Sequence, residues 1–135
     1  MKQAVSYIFG SARAPKVKGI VRIQKTLDGF TKIDIDIKGL EHDEYELKIH
    51  DKGICRDDVM NPYESSGDCY IKPGSTMPTI IPSMGRAKMT FYTKELDVDD
   101  ILGKSMIIKR NEKNRGEKIA CGIIREVIFG KKHYS

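Results

Sequence analysis

Residues 30–38 read FTKIDIDIK and carry the clearest secondary-structure signal in the chain. Ile33, Ile35 and Ile37 alternate with charged residues, so one side of the segment is apolar and the other is charged. This period of two is typical of a β-strand with one buried and one solvated face. The preceding turn, TLDG, contains Asp28-Gly29, which can supply the positive φ angles of a tight hairpin. The stretch is therefore predicted to be one arm of a β-hairpin.

Similar short segments occur along the rest of the chain. We predict further strands at Ala4–Gly10, Val17–Lys25, Glu44–His50, Arg86–Thr93, Ser105–Arg110 and Ala120–Ile128. Residues 51–85 are rich in Gly and Pro and predict a long irregular loop, while Val98–Gly103 predicts a connector or a single helical turn. The pattern favours an all-β fold with almost no helix, a Greek-key eight-stranded flattened barrel or sandwich, in one domain over residues 1–135.

Charge and hydropathy limit the classes of function. No apolar run approaches the ~20 residues that span a bilayer, so we expect no membrane partner. The apolar stretch near the N-terminus is too brief for a secretory signal, which favours a cytoplasmic protein. The net charge is +5, and residues 101–135 hold nine Lys or Arg against three Glu. A basic C-terminal segment can bind a polyanion, but no nucleic-acid motif accompanies it, and a solvated basic face is the simpler interpretation.

Several stretches, taken in order, resemble the copper/zinc superoxide dismutases. They are AVSYIFG with VKGIVRIQ, IDIKGLEHDEYELKIHDKG, VMNP, SGDCYI, ILGKSMIIKR and KIACGII. In that family, copper is held by four histidines and zinc by three histidines and an aspartate, with one histidine shared. This chain has three histidines in total, so the resemblance implies the family's fold without its metal centre.

The resemblance shows which ligand positions have changed. His50 matches one copper ligand, while Lys48 and Lys109 stand at two others and Val59 stands at the bridging position. Lys118 stands where the family has its catalytic arginine, and Asp68 matches the zinc aspartate. Lys48 and Lys109 would both point toward the copper position, where like charges oppose a cation. We therefore expect no catalytic residues, no metal and no cofactor, and we expect His50 to be a surface or half-buried strand residue.

The resemblance also implies a disulfide and a contact surface. Cys121 matches the family's disulfide cysteine and Cys55 is its expected partner, although three reduced cysteines are the alternative; Cys69 has no family counterpart. The family forms a two-fold dimer through this region. The corresponding residues here are Gly53, Ile54, Ile123, Ile124, Arg125 and Glu126. Arg125 and Glu126 replace small apolar residues, so they either pair across a homodimer axis or select another partner.

Three functions follow as hypotheses. The first is a catalytically inactive dismutase-like protein that acts by protein–protein contact. It would be a decoy or docking homologue for the copper chaperone for dismutase or for a dismutase subunit, as are some viral homologues and the chaperone's own middle domain. The second is a copper-binding protein with a residual site made of His50 with Asp68 or Cys69. The third is a polyanion-binding module that uses the basic C-terminal segment.

Overall fold

The computed structural model describes residues 2–58, 60–70, 77–111 and 116–128. Eight strands form one antiparallel sheet in the order β5-β4-β7-β8-β1-β2-β3-β6, which curls into a nearly closed barrel. The strands are β1 (Gln3–Gly10), β2 (Lys18–Lys25), β3 (Thr31–Lys38), β4 (Tyr45–His50), β5 (Thr79–Ile80), β6 (Arg86–Thr93), β7 (Ser105–Arg110) and β8 (Lys118–Val127). The helical content is α1 (Val98–Ile101) and a 3-10 turn, Glu64–Ser66. The all-β prediction is confirmed.

The alternating residues of each strand line the inside of the barrel. Ile33, Ile35 and Ile37 of β3 are at most 1% exposed, as their period of two predicts. The same pattern buries Val21 and Ile23 of β2, Leu47 and Ile49 of β4, and Met106 and Ile108 of β7. Since the apolar positions of every long strand share one core, their burial is the main force that closes the sheet.

Connections between the strands are fixed by local bonds and by glycine. Gly39 has φ +82, and a Cβ at this position would lie 2.0 Å from the carbonyl oxygen of Lys16, so only glycine fits the corner after β3. The Asp97 side chain caps α1 by accepting a hydrogen bond from the backbone N–H of Asp99. The Thr31 hydroxyl donates to the carbonyl oxygen of Leu96 over 2.6 Å and ties this connection to β3.

Residues 51–85 differ in part from the irregular loop that we predicted. The 3-10 turn Glu64–Ser66 lies within them, and Thr79–Ile80 pairs with Glu46 and Tyr45 as β5. A strand of two residues is too short to show a period of two, which explains why no sequence pattern predicts β5. Among the described residues, no helix has the length and apolar character needed to cross a membrane.

Candidate functional site

One row of side chains crosses the outer face of the barrel at the end of β4. His50 lies directly opposite Ser105 of β7, and Ser105 lies opposite Ile123 of β8. On its other side, His50 forms an isolated antiparallel bridge with Cys69. Directly opposed residues of an antiparallel pair place their side chains on the same face. Cys69, His50, Ser105 and Ile123 therefore lie side by side across four chain segments.

His50 is more deeply buried than we predicted. The residue is only 7% exposed, so the prediction that His50 is a surface or half-buried strand residue is wrong. Nδ1 donates a hydrogen bond to the carbonyl oxygen of Gly67 over 2.8 Å, which leaves Nε2 as the nitrogen with the lone pair in the neutral ring. Burial lowers the pKa of His50, and the charges of Lys118 and Lys109 lower it further. The imidazole is thus held in its neutral form next to two cations.

Lys48, Lys109 and Lys118, which the sequence aligns with site positions of the dismutases, lie on the same outer face. Lys109 is opposite Glu46 on one side and opposite Lys118 on the other. Lys48 is opposite Ile107, and its Nζ is 3.8 Å from Oε1 of Glu46. The structure therefore brings His50, Lys109 and Lys118 within electrostatic reach of one another, while Lys48 interacts with Glu46. Val59 lies outside the described residues.

Asp68 acts as a backbone partner of the loop. Its carbonyl oxygen accepts from the N–H of Asp51 over 2.9 Å, and its own N–H donates to Oδ1 of Asp51 over 3.1 Å. Asp68 and Cys69 are both exposed. Within residues 2–58, 60–70, 77–111 and 116–128, no group of three or more His, Cys, Asp or Glu side chains is placed to hold a metal ion.

A disulfide joins the long loop to the last strand. Cys55 and Cys121 are bonded, which confirms the predicted pair and rules out the reduced alternative for this structure. Cys121, Ile107 and Tyr63 form a buried cluster on the outer face of β7 and β8, separate from the main core, and Cys55 packs against it. Burial raises the pKa of Tyr63 to about 12. The loop is held against the outer face of β7 and β8 by apolar contacts and a covalent bond.

An apolar surface adjoins the disulfide on the outer face of β1 and β8, and we call it the β1–β8 patch. Tyr7 and Phe9 are each 56% exposed, and Ile54 is 42% exposed. Tyr7, Phe9 and Ile123 line a groove of about 280 Å³ together with both disulfide cysteines, Gly122 and Arg125. A Cβ on Gly53 would lie 3.6 Å from Ile123, so this loop glycine borders the same surface.

Two of the expected interface residues lie elsewhere. Ile124 is 0% exposed and packs in the main core, so it adds nothing to the surface. Glu126 pairs with Ala4, whereas Arg125 pairs with Val5, so the side chains of Arg125 and Glu126 leave β8 on opposite faces. Glu126 contributes to raising the pKa of Lys2. The patch therefore contains Arg125 without Glu126.

Comparison with known proteins identifies the family. Residues 17–124 match the family model described as copper/zinc superoxide dismutase (SODC). The chain belongs to the copper/zinc superoxide dismutase family. No curated protein matches this dismutase-family chain.

The donor set of this dismutase-family chain does not fit the metals of the family. Copper in either oxidation state favours imidazole or sulfur ligands, and a structural zinc site takes four close ligands. The residues directly beside His50 are Ser105 and Cys69, and Lys109 and Lys118 are close enough for their charges to lower the pKa of its ring. We therefore derive no reaction step through copper or zinc.

Sequence reasoning missed several residues that build this region. No sequence pattern singles out Glu46, yet it lies opposite Lys109 and pairs with Lys48. Gly67 binds the His50 ring through its carbonyl oxygen, a contact that no side-chain pattern can reveal. Ser105 is 0% exposed, and its Oγ has no hydrogen-bond partner among the described residues. The register of β4 and β7 identifies Glu46 and Ser105 as neighbours, and the path of the loop backbone identifies Gly67.

Proposed function

We propose that this dismutase-family chain is catalytically inactive and acts by protein–protein contact. It would serve as a decoy or docking homologue that binds the copper chaperone for dismutase or a dismutase subunit, in the cytoplasm. The observation that carries the proposal is the β1–β8 patch, where Tyr7 and Phe9 expose more than half of their area beside the disulfide. Exposed aromatic residues grouped around a groove are characteristic of binding surfaces.

The charges near His50 support the absence of dismutase activity. Lys109 and Lys118 lie close enough to lower the pKa of the His50 imidazole. A copper ion at this position would have to overcome repulsion by two positive charges with one imidazole as ligand, which is unfavourable at the low effective dielectric of a partly buried site. The residues of the old site thus oppose a metal ion electrostatically, in addition to lacking ligands.

The patch favours a different protein as partner over a second copy of this chain. In an isologous dimer, Arg125 would need an acidic residue on the same surface to pair across the two-fold axis. Glu126, the expected counterpart, leaves β8 on the opposite face. A heterologous partner with a carboxylate at that point can satisfy Arg125, so we propose the chaperone or a dismutase subunit before a homodimer.

Titration of purified copper chaperone and purified dismutase with this chain tests the proposed contact. We expect a 1:1 complex with one of them, and we expect Tyr7→Ser with Phe9→Ser to weaken binding by roughly tenfold or more, since central aromatic anchors dominate interfaces. Leu27→Ser, on a side chain 94% exposed in the β2–β3 turn, is the matched apolar control and should bind normally. Absence of binding to both partners would refute the proposal.

An activity measurement tests the other half of the proposal. Protein refolded with copper and zinc should dismute superoxide no faster than the same concentration of the free metals. A rate well above that of the free metals would show that the chain is an enzyme after all.

Copper binding is a second candidate function, and one observation favours it. The His50–Cys69 bridge places an imidazole and a thiol side by side, and these are ligands that Cu(I) accepts. Titration with Cu(I) under anaerobic conditions, with His50→Ala as the variant, separates this candidate from the first. The polyanion hypothesis concerns a C-terminal segment of which residues 112–115 and 129–135 lie outside the described ranges.

A further inference from the structure

The outer face of β2, β3 and β6 carries a concentration of positive charge, and we call it the basic face. Six cations and two carboxylates project from it. The cations are Lys18, Arg22, Lys32, Lys38, Arg86 and Lys88, and the carboxylates are Asp34 and Asp36. The face therefore has an excess of four positive charges. Acidic residues elsewhere in residues 1–100 offset this excess, so composition alone places the basic character in residues 101–135.

Most of the basic face is arranged so that opposite charges meet. Arg22 lies opposite Asp34, and Asp36 lies opposite Lys88. Arg86 also binds Asp36 with two hydrogen bonds of 2.9 and 2.8 Å, which lowers the pKa of that carboxyl. These pairs follow the general rule that opposed charges of opposite sign stabilise a sheet.

One row of the face breaks this rule. Lys38 lies directly opposite Lys18 on one side and directly opposite Arg86 on the other. Like charges at directly opposed positions destabilise an antiparallel pair. Among the described residues, Lys18 and Lys38 make no ion pair, and both are exposed. Arg86 already binds Asp36, so the repulsion that an anion from outside would relieve lies between Lys18 and Lys38.

The row borders a groove that continues the β1–β8 patch. Lys18, Lys38, Arg86 and Asp36 line a groove of about 360 Å³ with Gly19, Ile20 and Tyr7. Tyr7 also lines the groove of the patch, so the two surfaces meet at this side chain. Phe9 of the patch is directly opposite Lys18. A single partner can therefore contact the aromatic residues and the cation row together.

We propose that the row Lys18–Lys38–Arg86 binds an acidic polypeptide segment of the protein that docks on the β1–β8 patch. This inference rests on the proposed function for the existence of that partner, and it adds the partner's chemistry. Strands lie about 4.8 Å apart, so the three cations span roughly 10 Å, a length that two carboxylates on one side of an extended segment can match. Charge complementarity at the edge of an apolar contact increases the rate of association and selects the partner.

The composition of the face favours a polypeptide over a nucleic acid. A nucleic-acid backbone requires a continuous track of cations, and a single strand also requires stacking platforms. Asp36 and Asp34 interrupt the track, because they lie one row and two rows beyond Lys38, respectively, on the same face of β3. The cation row is thus long enough for a few carboxylates and is blocked where a phosphate chain would continue.

Fluorescence anisotropy with a labelled glutamate peptide tests the row directly, using the full chain. The uncharged comparison is a glutamine peptide of the same length. We expect the glutamate peptide to bind with an affinity that falls with added salt, and K18E/K38E to reduce that affinity by roughly tenfold, equivalent to about 1.4 kcal/mol. The matched control is K2E/K94E, which reverses two exposed lysines at the opposite end of the barrel and should leave binding unchanged.

Three results would overturn the inference. The first is equal affinity for the glutamate and glutamine peptides. The second is an equal loss of affinity for the glutamate peptide in K18E/K38E and in K2E/K94E. The third is a labelled oligonucleotide that binds more tightly than the glutamate peptide through Lys18 and Lys38. The variant Ile123→Ser, which changes a residue of the β1–β8 patch outside the groove of the cation row, should retain the glutamate peptide and weaken binding of the protein partner. The failure of the cation row is thereby distinguished from the failure of the proposed function.

Discussion

His50 donates a hydrogen bond from Nδ1 to the carbonyl oxygen of Gly67 over 2.8 Å, and this bond joins the end of β4 to the loop that follows it. The ring is buried, and its pKa is lowered first by that burial and then by Lys118 and Lys109. Protonation of the folded protein at this position is therefore unfavourable, and the stability of the chain should depend on pH.

The sign of this dependence follows from the lowered pKa. The unfolded chain takes up a proton at His50 near pH 6.5, while the folded protein does so only at lower pH. The free energy of unfolding should then fall as the pH drops from about 7 through this range and level off below the folded pKa. Urea denaturation at several pH values measures the free energy of unfolding and its dependence on pH.

His50→Gln should flatten this pH dependence. His42→Gln, at an exposed residue, is the control and should retain it. Equal slopes in the original protein and both variants would contradict the prediction.

The disulfide should supply a large share of the stability. It closes a loop with a sequence separation of 66, which corresponds to about 4 kcal/mol in the chain-entropy model. Cys55→Ser with Cys121→Ser should lower the free energy of unfolding by an amount of this order. Cys69→Ser, at an exposed residue outside the disulfide, should change it by less than about 0.5 kcal/mol. A double variant as stable as the original would show that the apolar cluster alone holds the loop.

The corner at Gly39 should tolerate no side chain. Gly39 and Gly29 have similar positive φ angles, +82 and +87, but only Gly39 lies against backbone atoms. Gly29→Ala should therefore cost only the unfavourable φ, roughly 1–2 kcal/mol. Gly39→Ala adds contact with the carbonyl of Lys16 and should cost roughly 3–4 kcal/mol. Thermal unfolding of both variants separates the two contributions, and equal losses would contradict the steric argument.

The connection before α1 should depend on a single hydroxyl. Thr31 is buried, and its Oγ1 donates to the carbonyl of Leu96 over 2.6 Å. Thr31→Val leaves that buried carbonyl without its donor and should lower the free energy of unfolding by about 1–3 kcal/mol. Thr31→Ser retains the hydroxyl and should lose less. Chemical denaturation of the two variants measures the difference, and a Ser variant as unstable as the Val variant would refute this role of the hydrogen bond.

The long strands were predictable because their burial follows a period of two. β3 begins one residue after the predicted start at Phe30, and β6 and β7 have the predicted bounds. The resemblance to the dismutase family supplied the disulfide partner, which spacing alone leaves open, and the structure contains that pair. These features were accessible because they depend on residue type and order.

Other features depend on strand register, which a sequence without its fold does not show. The opposition of His50 and Cys69, the neighbours of Lys38 and the inward direction of Ile124 all follow from which residues face each other. A shift of one residue in register would turn every one of these side chains to the other face. The basic face in particular is formed by residues that are far apart in the chain.

The buried cluster of Tyr63, Ile107 and Cys121 links maturation of the protein to formation of its disulfide. The loop over the outer face is closed by oxidation of two thiols and by apolar packing. A strongly reducing environment should therefore leave this loop without its covalent link to β8. The supply of oxidant would decide how much of this chain reaches its cross-linked form.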